Sequence, residues 1–142
     1  MKRLIVVLAA GAVIAVALGA SAVAGSNHRT YAPEDCTKPK VKPNRIVFTC
    51  ADFGAYINAL HWGHWGGHRA RGSGVFHEKV CKPDCASGRY RDFRANIRLR
   101  KPRVGKCGGR RVRYFHKALL RFPDRKPPDA RRFRKTRLFC NP

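Results

Sequence analysis

The most regular feature of the chain lies in its second half. Phe93, Ala95, Ile97 and Leu99 alternate strictly with Arg94, Asn96, Arg98 and Arg100. One face is thus apolar and the other polar and basic, the period-2 signature of a half-buried strand. Val112, Tyr114, His116, Ala118, Leu120 and Phe122 then alternate with Arg111, Arg113, Phe115, Lys117, Leu119 and Arg121. Periodicity alone leaves a helix over Phe115–Leu120 open, but the neighbouring strand pattern and the intervening glycines favour a second strand. Residues 101–110, with Pro102, Gly105, Gly108 and Gly109, read as the loop of a long hairpin.

Upstream the runs are shorter. Ile46-Val47-Phe48-Thr49-Cys50 is β-branched and aromatic and stops at Asp52-Phe53-Gly54. Tyr56, Asn58, Leu60 and Trp62 alternate with Ile57, Ala59 and His61, which predicts another strand. A glycine-rich stretch from Gly63 to Gly74 leads into Val75-Phe76, and Cys81-Lys82-Pro83-Asp84-Cys85 reads as a turn pinned by two cysteines. Short strands with frequent turn signals predict an all-β fold, a small sandwich or barrel-like domain over 45–122. Residues 25–44, with Pro33, Pro39 and Pro43, read as an extended lead-in. Residues 123–142, rich in Pro and Arg, read as a basic extended tail. No internal repeat or heptad pattern is present.

The N-terminus fixes the expected compartment. Lys2 and Arg3 precede Leu4–Ala20, which carries no charged side chain, and Ala22-Val23-Ala24 has the small-x-small spacing of a signal peptidase site. We expect a signal peptide over 1–24, with no transmembrane span left in the mature chain. The alternative is an uncleaved N-terminal helix that anchors the protein outside the membrane. Either way the remainder is exported. In an oxidising compartment, Cys36, Cys50, Cys81, Cys85, Cys107 and Cys140 read as three disulfides of open connectivity. A Cys36–Cys140 bridge would enclose the whole domain. A zinc site at Cys81, Cys85 and Cys107 is disfavoured because the usual spacing is missing.

Length and charge narrow the function classes. With 142 residues and net charge +23, the chain has room for one small domain that needs covalent staples. Residues 86–142 hold 20 Lys+Arg against 3 Asp, and 15 of those cations are Arg. The Arg guanidinium binds phosphate, sulfate or carboxylate bidentately. In the expected hairpin Arg94, Arg98 and Arg100 share a face with Arg111, Arg113, Lys117 and Arg121. Like charges across strands oppose pairing, so a bound polyanion would relieve repulsion. The competing reading is a solvated basic surface.

Several segments resemble a group of small exported actinobacterial proteins with cysteine-containing β domains and no known function. The likeness rests on Ile46–Asp52, Leu60-His61-Trp62-Gly63-His64-Trp65-Gly66, Ala70–Gly74, Cys81–Gly88 and Tyr114–Phe122. It implies a compact disulfide-bonded β domain and supplies no activity or catalytic residue. The heavy Arg content, the histidines around the Trp pair and the basic tail depart from the group.

Other chemistry is thin in the pattern. His61, His64 and His68 would share a face only in a helix, which Gly63, Gly66 and Gly67 disfavour, and Trp62 and Trp65 fit core or rim packing better than a ligand platform. No nucleophile elbow, zincin or P-loop pattern occurs. We therefore expect no catalytic residue, no metal and no cofactor, and partners that are anionic polymers: cell-wall polymer or nucleic acid. The alternatives are a secreted ribonuclease-like enzyme using His77 or His116, and a protease-inhibitor-like module presenting Lys82-Pro83-Asp84.

Overall fold

In the computed structural model, which describes residues 29–141, six strands form one antiparallel meander. Their order is β3 (Ile46–Val47), β4 (Ala55–Trp65), β5 (Ala70–Val80), β6 (Arg89–Cys107), β7 (Arg110–Arg121) and β8 (Thr136–Arg137). A small separate sheet pairs β1 (Ala32–Pro33) with β2 (Pro39–Lys40). The fold is all-β as the alternation predicts, with one four-residue helix among the described residues, α1 (Ala130–Phe133). The expected signal peptide, 1–24, lies outside the described residues. No helix among the described residues is long and apolar enough to cross a membrane.

The inner face is built row by row. Ile46, Ile57, Phe76 and Phe93 stand in register across four strands, and all are buried. Ala95, Ile97 and Leu99 extend this layer along β6, with Leu120 opposite Ile97 and Ala118 opposite Leu99. The lead-in is integral to the fold. Tyr31 donates its N–H to the Arg113 carbonyl and accepts from the Phe115 N–H, so it lies along the free edge of β7. Three residues on, Glu34 accepts from the Val47 N–H at the opposite edge of the sheet. The strap from Tyr31 to Glu34 thus links both edges of the curled sheet, a barrel-like closure that leaves less open edge for pairing with other chains.

Three disulfides form: Cys36–Cys50 and Cys107–Cys140 fasten the strap and the C-terminal segment, and Cys81–Cys85 pins the turn between β5 and β6. The enclosing Cys36–Cys140 bridge does not form. Cys36 and Cys140 are neighbours all the same, because Asn141 donates its N–H to the Cys36 carbonyl.

Other expectations are also revised. The loop expected over 101–110 is mostly ladder. Pairing runs to Cys107↔Arg110, and only Gly108 and Gly109, both at positive φ, make the turn. Two central residues at φ > 0 match the twist of the flanking strands. The glycine-rich stretch from Gly63 to Gly74 is likewise largely strand. A Cβ on Gly74 would sit 2.5 Å from the Asn58 carbonyl oxygen, and one on Gly72 2.6 Å from that of His61. These glycines let β5 lie against the bulged part of β4. Residues 123–141, read as extended, fold back onto the sheet. Phe133 packs 5.0 Å from Phe76 and 6.2 Å from Phe48 between ring centroids, and Leu138 is buried. These two apolar side chains gain more by burial than an extended tail would allow.

Candidate functional site

The outer face of the sheet carries the cations. Because residues in register point to one side, the ladder defines the rows. His64, Arg71, Arg98 and Leu119 form one row across β4–β7. Arg100, Lys117 and Arg137 form the next across β6–β8. His61, Ser73, Asn96 and Arg121 form a row on the other side of the first. Neighbouring strands lie about 4.8 Å apart and alternate residues about 7 Å apart along a strand. Arg71, Arg98, Arg100, Lys117, Arg121 and Arg137 therefore make one continuous cationic stripe. The positive charge of Lys101, with some desolvation and the charges of Lys135 and Arg137, lowers the Lys117 pKa from its ordinary value. Like charges crowd here without relief.

Of the seven cations read from the sequence, Arg98, Arg100, Lys117 and Arg121 sit in these rows. Arg94 lies one step along β6, 3.7 Å from Asp124, and among the described residues it alone of the seven pairs with a carboxylate. Arg111 and Arg113 stand apart from the stripe. The ladder skips Lys101 and His116, Lys101 has φ 52, and Phe115 and Ala118 are both fully buried although three residues apart. Period 2 breaks at this point, so beyond it the odd residues of β7 no longer continue the basic face. Arg113 reaches the Gly67 carbonyl at 3.5 Å in the β4–β5 turn, and Arg111 lies opposite Lys106 near the hairpin tip. The sequence reading missed Arg71 and Arg137, which only the register brings beside Arg98 and Lys117.

The aromatic pair serves packing. Trp62 and Trp65 meet edge to face at 4.6 Å, and Trp65 packs on Phe115. Trp62 donates its Nε1–H to the Pro43 carbonyl and Trp65 to that of Thr30, so both indoles fasten the lead-in. His61, His64 and His68 are exposed, and no three His, Cys, Asp or Glu side chains converge among the described residues.

The two histidines of the ribonuclease alternative differ in setting. His77 Nδ1 lies 2.7 Å from Asp92 Oδ1 and Nε2 2.8 Å from Asn58 Oδ1, with Tyr56 stacked on the ring at 4.5 Å. Both ring nitrogens are engaged within the sheet. Burial, followed by the charge of Arg103, lowers the His116 pKa, and its Nδ1 is buried without a partner. The Lys82-Pro83-Asp84 turn is exposed, and Asp84 accepts the N–H and Oγ–H of Ser87. No protein-family model, curated protein or solved structure matches this chain.

Proposed function

We propose that this chain is an exported, non-enzymatic basic domain that associates with anionic polymers through the outer face of β5–β8. The observation that carries this reading is the unbroken stripe of Arg71, Arg98, Arg100, Lys117, Arg121 and Arg137, with no carboxylate in its rows. A sheet gains nothing from cations opposite cations. A phosphodiester or polycarboxylate backbone laid across the strands would turn that repulsion into attraction. Export agrees with the three disulfides. No Phe, Tyr or Trp stands in the rows, which favours recognition of backbone charge over base stacking.

Binding to duplex DNA and to a wall polyphosphate across a salt series tests this. Affinity should fall linearly on a log–log plot, by about 0.9 per phosphate contact on B-DNA. Changing Arg98, Arg100, Lys117 and Arg121 together to Gln should lower the slope by about 3–4 with the fold intact. The matched change of Arg131, Arg132, Arg134 and Lys135 should lower it less. Equal affinity and slope in the sheet variant and the wild type would sink the proposal. RNA cleavage lost in His77→Ala or His116→Ala would favour the ribonuclease reading instead.

A further inference from the structure

On the inner side of the sheet, away from the stripe, one acid lies in an unusual place. Glu78 follows Phe76 by two residues and so shares its inward direction, with Ala55 and Arg91 as ladder partners. It is 6% exposed, and both carboxyl oxygens are buried with no hydrogen-bond partner. Elsewhere a buried carboxyl is expected to be paired, because an orphaned acceptor costs its full desolvation. Glu78 forms part of the wall of a cavity of about 330 Å³, bounded also by Thr49, Asp52, Asp129, Arg132 and Phe133 and by the Cys81–Cys85 bridge.

Acids are concentrated in this cavity relative to the rest of the surface, so that they match its cations in number. The chain has 8 acidic residues against 31 Lys+Arg, yet three of the acids (Asp52, Glu78 and Asp129) line this cavity. Three cations also border it: Lys82 and Arg132 are exposed and Lys79 is half-buried, whereas Ala55, Phe133 and Glu78 are buried. The deep wall is therefore apolar around one unpartnered acceptor. Such a wall suits a ligand with a hydrogen-bond-donating cationic head and a short alkyl body. A metal ion is a poor fit, since no three ligating side chains converge among the described residues.

We propose that this cavity binds a primary alkylammonium group, of the kind carried by a lysine side chain, with Glu78 as its buried counter-ion. The groups facing Glu78 are Asp52 from the turn before β4, Arg91 from β6, Lys79 and Lys82 around the end of β5, and Asp129 and Arg132 from the C-terminal segment. Burial first, and the Asp129 charge second, raise the Glu78 pKa. The Asp129 N–H and the Arg132 charge act the other way, without closing a hydrogen bond to the carboxyl. An arriving ammonium favours the ionised carboxylate. Binding is thus coupled to release of the Glu78 proton wherever the free protein holds it, while a primary amine stays protonated to about pH 10.

Titration by amide chemical shift, with n-butylammonium, Nα-acetyl-lysine methylamide and n-butanol as probes, tests the proposal on the intact protein. Saturable shifts around the cavity with the free amine, the peptide-like amine or both, and none with the alcohol, support it. Glu78→Gln should weaken amine binding at least about tenfold, as loss of a charged hydrogen-bond partner does. Arg110→Gln, at the hairpin tip outside the cavity, should preserve it. Calorimetry of the wild type in two buffers of different ionisation enthalpy should register proton release on binding, with no variant involved. Equal binding of butanol, no saturable shift with either amine, unchanged affinity in Glu78→Gln, or loss of binding in Arg110→Gln would each overturn it.

Discussion

The three disulfides enclose loops of different length, and the chain-entropy account of cross-links turns that difference into a ranking. Cys107–Cys140 spans a sequence separation of 33, Cys36–Cys50 one of 14 and Cys81–Cys85 one of 4. For loops of these sizes the lost closure entropy is worth about 3.7, about 3.0 and about 1.9 kcal/mol respectively. Burial sharpens the order: Cys107 is fully buried and Cys36 nearly so, whereas Cys81 and Cys85 are exposed. Paired Cys→Ala variants, with the remaining bridges checked by mass, can be unfolded in urea. The Cys107→Ala/Cys140→Ala variant should lose the most stability and Cys81→Ala/Cys85→Ala the least, a difference of about 2 kcal/mol. Hydrogen exchange should locate the first weakness at Leu138 and Asn141, whose N–H groups bond to His116 and Cys36 beside that bridge. If removing Cys81–Cys85 costs as much as removing Cys107–Cys140, loop closure is not what these bonds contribute.

Two further outcomes bear on the core. Phe133→Ala should destabilise the domain by about 3–5 kcal/mol in the same urea assay, because the ring stands 5.0 Å from Phe76 in the buried cluster. A loss below about 0.5 kcal/mol would mean that the C-terminal segment only rests on the surface. The raised pKa of Glu78 makes its stabilising form the protonated one. Its contribution is complete below the ordinary value of 4.5 and is lost as pH rises through the raised folded value. The stability of Glu78→Gln relative to wild type should therefore grow with pH across that window, and a difference flat with pH would refute the burial of the acid.

The strands were legible where polar and apolar residues alternate. Phe93, Ala95, Ile97 and Leu99 are all buried as the pattern requires, because one face of the sheet meets the core. What escaped is what alternation does not encode. The break at Lys101 and His116 is a local backbone event, and it moved Arg111 and Arg113 out of the row expected of them. The glycines of 101–110 look alike in sequence, yet only Gly108 and Gly109 turn the chain. Phe133 stands singly among arginines and Leu138 sits beside an exposed Phe139, so no periodic signal announces which of them is core. Tertiary contact decided them. Arg71 and Arg137 joined the stripe through strand register, which no single run contains. Glu78 was not read as inward, because the glycine-rich run before Val75-Phe76 carries no clean alternation to set the parity.

Charge and covalent frame are two halves of one arrangement. The outer rows set Arg71 against Arg98 and Arg100 against Lys117 and Arg137, contacts that oppose strand pairing. The inner rows oppose that repulsion with a layer one side chain deep, in a domain small enough that its core alone leaves little margin. The Cys107–Cys140 bridge joins the tip of the β6–β7 hairpin to the segment that carries β8 and Arg137. It therefore restrains the strand that repulsion from Lys117 would push off the edge. Spread over a solvated surface, the same charges would not need to face one another, and the fold would be easier to keep. Their alignment across four strands, with the outermost strand clamped, is the feature on which the proposed association with an anionic polymer rests, and the salt-slope comparison decides between it and a solvated basic surface.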